Sequence, residues 1–194
     1  MIPEIDIVTK GQLISHVLEP DSVDYVIASH VWEHVPDFLG WLESNLIVLR
    51  PGGRMAVAYP DKRYTFDMCR RSSSLSDVLA AYIEKRTRPT ITQLSDYLLN
   101  VVSVTPQDAW SGATNRENAK TIHAQNSIVQ LLREADKSGR YVDAHCWVFE
   151  DLEMLQILEN VRPFISRKFI VLSFFPPIRE LERILSHLRE GLIA

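Results

Sequence analysis

The chain has 194 residues, 46% of them hydrophobic and 24% charged, with a formal net charge of −4. That length supports one domain with a real core, taken here as residues 1–194, and the weakly acidic balance excludes the basic footprint of a nucleic-acid binder. No apolar run approaches the roughly 18 residues a membrane span needs, no basic-then-apolar leader opens the chain, and the distant Cys69 and Cys146 make no disulfide or metal framework, so a cytoplasmic protein with reduced thiols is expected.

In chain order, Ile5, Ile7 and Val8 predict a short strand over 4–8, and Leu13, Ile14, Val17 and Leu18 a short helix or turn over 11–18. Tyr25 to Ala28 is a nearly continuous apolar run, the pattern of a strand covered on both faces, as in parallel sheets. Asp37 is placed to cap a helix with Phe38, Leu42, Leu46 and Leu49 on its apolar face, closed by Pro51-Gly52-Gly53. Met55 to Tyr59 is a second buried strand, so residues 24–67 read as a parallel βαβ unit. The glycines follow a helix instead of opening one, so they predict a C-cap turn and not a phosphate loop.

Residues 61–140 read as a helical insertion within the domain. Helical stripes run through Leu75, Val78, Leu79 and Tyr82 and through Ile91, Leu94, Leu98 and Val101; a loop is predicted over 103–118 and a third helix over 119–137. Tyr141 to Phe149 is β-prone or extended. A helix over 150–160, a strand over 169–175 with Val161–Ile165 as a possible hairpin partner, and a final amphipathic helix over 178–192 complete the pattern.

Three groups of residues could carry chemistry. His30, Glu33 and His34 follow the first buried strand, where open α/β sheets bind ligands. They read as site-lining groups, as locally satisfied histidines, or as metal ligands. The spacing HVWEH is not the HExxH of a zinc helix, and no metal site is assigned from it. Asp61, Lys62, Arg63, Tyr64 and Asp67 follow the second strand and suit either a solvated loop with a local ion pair or a loop holding an anionic or hydroxyl-rich substrate. Alternation places Asp143, His145 and Trp147 on one face, where a carboxylate orienting an imidazole would make a general base, or where an edge strand would simply turn polar groups outward.

The run Asp24-Tyr25-Val26-Ile27-Ala28-Ser29-His30, followed by Glu33-His34-Val35, Leu49-Arg50-Pro51-Gly52-Gly53 and Tyr59-Pro60-Asp61, resembles class I S-adenosylmethionine-dependent methyltransferases. The resemblance covers residues 4–67 well, 141–175 in patches and the insertion weakly. It implies an α/β fold: a partial Rossmann-like methyltransferase sheet, mostly parallel with an antiparallel last strand. It implies S-adenosylmethionine as cofactor, bordered by Ser29, His30, Glu33 and His34. His30, Asp61 and His145 would be catalytic, and Lys62, Arg63, Tyr64 and Trp147 would hold the acceptor, a small polar metabolite or sugar. The chain departs from the family in having no GxG turn and only seven glycines, and Thr9-Lys10-Gly11 stands where an acidic residue is common. Its start resembles the family's third strand. The alternative is therefore a truncated, non-catalytic methyltransferase-like domain acting as a binding or oligomeric subunit. With the family's first two strands absent, the Tyr25–Ala28 edge is predicted to be covered by the 4–8 strand or by a second copy.

Overall fold

The computed structural model describes residues 7–177. Its centre is the βαβ unit expected from the sequence: β1 (Val23–Ser29), α1 (Phe38–Val48) and β2 (Leu49–Ala58), with β1 and β2 parallel. Asp37 caps α1 as predicted, its carboxylate accepting the Gly40 N–H at 2.9 Å. Val26 and Ala28 of β1 and Met55 and Val57 of β2 turn inward. Met55 and Val57 pack against a core of Phe38, Leu39, Leu42, Trp32, Val78, Ala81, Trp147, Phe149, Met154, Ile157 and Val161. The described chain is thus a mixed α/β arrangement with helices packed against one face of a two-stranded parallel sheet.

The glycine turn differs from its predicted role. Leu49 already pairs with Val23, and pairing resumes at Tyr25 with Arg54, so Arg50–Gly53 bulges out of β2 instead of capping α1. Gly52 takes φ +82°, and a Cβ on Gly53 would lie 2.9 Å from the Arg50 carbonyl oxygen. The glycines serve a bulge that a side chain would block.

The helices of the 61–140 region are α2 (Leu75–Glu84), α3 (Ile91–Asn100), α4 (Pro106–Ser111) and α5 (Gln125–Ser138). Capping boxes of Ser74 with Asp77 and of Thr90 with Gln93 start α2 and α3. The predicted 103–118 loop contains α4, whose Thr105 cap and Pro106 at the first turn are ordinary start signals. Residues before α5 form a small antiparallel ladder, β3 (Val102–Ser103) with β4 (Lys120–Thr121). Helix α6 (Asp151–Val161) runs into a 3-10 turn, Arg162–Phe164, so 161–165 is not a hairpin strand.

The 11–18 segment, expected as a short helix or turn, holds a 3-10 turn, Ile14–His16. The strand expected over 169–175 does not form. Residues 169–175 carry no strand ladder; Phe169 packs on the core while Ile170, Leu172 and Phe175 face outward, so no antiparallel last strand joins the sheet among the described residues. The outward face of β1 is exposed within this single chain, Tyr25 at 55% and Ile27 at 78%. Among the described residues β1 pairs with β2 alone. Of the predicted 4–8 strand, Ile7 and Val8 are exposed and form no strand; residues 4–6 lie outside the described range, as does the predicted 178–192 helix. No described helix is long and apolar enough to cross a membrane.

Candidate functional site

The polar centre of the molecule forms where the turn after β1 meets the extended strap before α6. His30 follows β1 with φ +52°, a left-handed conformation that costs a non-glycine residue free energy and redirects the chain. Its N–H donates to the Ala58 carbonyl at 2.9 Å, holding the bend to the end of β2. A 3-10 turn, Trp32–His34, follows. The Glu33 carbonyl accepts N–H groups from Cys146 at 2.6 Å and Trp147 at 3.3 Å, which fastens the turn to the strap. On the strap's other side, the Gln93 amide donates to the Cys146 carbonyl at 3.0 Å, and the Ser73 N–H to the Val148 carbonyl at 2.8 Å.

This clamping brings His30, Glu33, His34 and His145 together. His34 Nδ1 lies 2.8 Å from Asp143 Oδ1, and His145 Nδ1 lies 2.5 Å from Asp67 Oδ2. A neutral imidazole whose Nδ1 donates to a carboxylate keeps its lone pair on Nε2, so both rings are oriented with Nε2 as the accepting nitrogen. The rings meet edge to face, centroids 4.7 Å apart. Glu33 is buried, with Oε1 3.2 Å from His30 Nδ1 and Oε2 without a hydrogen-bond partner. Behind His145, Asp67 also accepts from Arg70 Nη1 at 2.8 Å, and Arg70 Nε donates to Asp96 at 2.8 Å. Tyr141 donates its hydroxyl to Asp143 at 3.2 Å. Burial pushes the Cys146 thiol up to about 12, which makes it a neutral core group and not a nucleophilic thiolate.

The sequence pattern pairs His145 with Asp143 on one face; the structure separates them. Asp143 is exposed and serves His34, while the buried partner of His145 is Asp67, 78 residues away in the chain. No strand forms at 141–149 to impose alternation; a single parallel bridge joins Phe149 to Asp61. Asp67 and Arg70 were legible only as part of a charged loop, because their partners come from distant segments.

The residues after β2, expected as catalytic and acceptor-binding groups, are held by contacts within the fold. Asp61 is buried and fully used: it accepts the Arg63 N–H at 2.9 Å, the Arg63 guanidinium through both oxygens, and the Asp151 N–H at 3.2 Å. Lys62 is buried with its ammonium on the Arg70 carbonyl and the Ser72 hydroxyl, and burial pulls its pKa down. Arg63 bridges Asp61 to Asp151. Tyr64 stacks on Trp110, rings 3.6 Å apart and 6° from parallel. Trp147 is a core side chain whose indole N–H donates to the Val35 carbonyl at 2.6 Å. Ser29 lies exposed at the end of β1, opposite Ala58. Asp61→Asn is therefore expected to destabilise the fold by about 2–3 kcal/mol in urea unfolding, the cost of weakening a buried charge-assisted network. An unchanged unfolding midpoint would contradict that structural role for Asp61.

A cleft of about 180 Å³ shares Arg70 with this network and includes Arg71 and Arg86 in its wall. Its arginines are committed to Asp67 and Asp96, to Asp77 and to Glu84, so it offers no free cation to an anionic ligand. The imidazole–carboxylate cluster is the stronger candidate. No family model, curated protein or solved structure matches this chain.

Proposed function

We propose that the chain is a methyltransferase-like protein of the S-adenosylmethionine-dependent class, with a small polar metabolite or sugar as acceptor. The observation that carries this reading is the pair of carboxylate-oriented imidazoles, His34 and His145, gathered beyond the carboxyl end of β1 in a parallel βαβ unit. That is the position where such sheets bind ligands. The sulfonium makes the cofactor's methyl electrophilic, so the protein's task is to align the incoming oxygen or nitrogen and take its proton. His34 and His145, held through Nδ1, have Nε2 available to accept that proton. Ser29, His30 and the turn after them would border the cofactor. Titration with S-adenosylmethionine and S-adenosylhomocysteine tests the reading, with micromolar binding expected.

A second reading is favoured by a separate observation. Tyr25 and Ile27 leave an apolar face and a free edge on β1 among the described residues, a surface suited to pairing with another chain. This supports a methyltransferase-like subunit that binds a partner without transferring a methyl group itself.

A further inference from the structure

We propose that Glu33, His34 and His145 form a binding site for a divalent first-row transition metal ion. One ligand-capable atom of each residue lies within 4.8 Å of those of the other two. Ligands about 2.0–2.2 Å from a tetrahedral zinc ion lie roughly 3.4 Å from one another. Small side-chain rotations therefore close this set around an ion.

Three observations favour a cation over a self-satisfied polar cluster. Glu33 is 3% exposed and its Oε2 has no hydrogen-bond partner. An ionised carboxylate oxygen is costly to bury unless a donor or cation reaches it. Each imidazole is held through Nδ1 by a carboxylate, His34 by Asp143 and His145 by Asp67. This is the outer arrangement that orients metal-bound histidines and raises their basicity. The charge balance is also right: Glu33, Asp67, Asp96 and Asp143 are gathered here, and Arg70 is the one guanidinium bonded to any of them among the described residues.

The donors point to the class of ion. Two neutral nitrogens and one carboxylate suit zinc or ferrous iron better than magnesium or calcium, which prefer oxygen ligands. Three protein ligands also leave a coordination position for a substrate oxygen. His30 serves as a positioning residue, since its Nδ1 engages Glu33 Oε1. The HVWEH spacing hid the site because a 3-10 turn presents the adjacent Glu33 and His34, and the third ligand arrives from the distant strap. The inference does not rest on methyl transfer: an imidazole whose Nε2 holds the ion has no lone pair left to take a proton, so with metal bound His34 and His145 are ligands and not bases.

The test uses the 194-residue chain stripped with chelator and titrated with Co²⁺, followed by its visible absorption, and then with Zn²⁺ in competition. One Co²⁺ per chain, displaced by Zn²⁺, is expected. Glu33→Gln and His145→Gln should each weaken binding at least tenfold. Asp143→Asn should weaken it about tenfold through His34, and its exposed position keeps the test valid if a buried variant fails to fold. His16→Ala, outside the cluster, should change nothing. Absence of Co²⁺ binding at millimolar concentration, or binding that Glu33→Gln and Asp143→Asn leave intact, overturns the proposal.

Discussion

Arg70→Ala is expected to cost about 3–5 kcal/mol of folding stability, the penalty for breaking a buried ion pair from one side. Arg70 is 2% exposed and bonds two carboxylates, Asp67 and Asp96, while its guanidinium lies 5.4 Å from the centre of the Tyr97 ring. Alanine would leave Asp67 buried with only His145 as partner and Asp96 without its guanidinium. At roughly 2–4 °C per kcal/mol for a chain of this size, the melting temperature should fall by about 6–20 °C. Urea unfolding at neutral pH measures the free energy directly; a loss below about 1 kcal/mol would mean that the network is solvated and weak. The consequence reaches the site, because Asp67 can orient His145 only if its own position is fixed.

Phe38→Ala is expected to cost a similar amount, about 3–5 kcal/mol, through lost burial and the cavity left behind. Phe38 is fully buried, meets Trp32 edge-on at 4.9 Å and lies 6.0 Å from Trp147. Trp32 opens the turn that carries Glu33 and His34, and Trp147 belongs to the strap that carries His145. The same cavity should therefore loosen both halves of the cluster. Tryptophan emission should shift to the red along with the fall in the unfolding midpoint. Native emission with a loss under about 1 kcal/mol would show that the core collapses around the change.

The parts of this molecule that depend on neighbouring residues were legible in the sequence. The β1–α1–β2 unit follows from apolar runs and a capping aspartate, and α2, α3 and α6 follow from stripes with clear starts. What depends on distant partners was not. Tyr25 to Ala28 looks like a strand buried on both faces, yet nothing in that run says whether a second layer exists; only Ala28 is fully buried. Asp61, Lys62 and Arg63 have the composition of a binding loop, but Arg63 closes on Asp61 and on Asp151 at the start of α6, and Lys62 closes on the Arg70 carbonyl and the Ser72 hydroxyl. His145 is legible as a candidate but its partner is not, because alternation assumes a strand that the 141–149 strap does not form, and the carboxylate it meets is Asp67. Glu33 stood out only by position, and its burial with a free oxygen is a tertiary fact.

The proposal of a methyltransferase-like site meets its sharpest test in calorimetric titration of the 194-residue chain with S-adenosylhomocysteine. One site of micromolar affinity is expected; no heat at millimolar ligand, with the chain shown to be folded, would rule the proposal out.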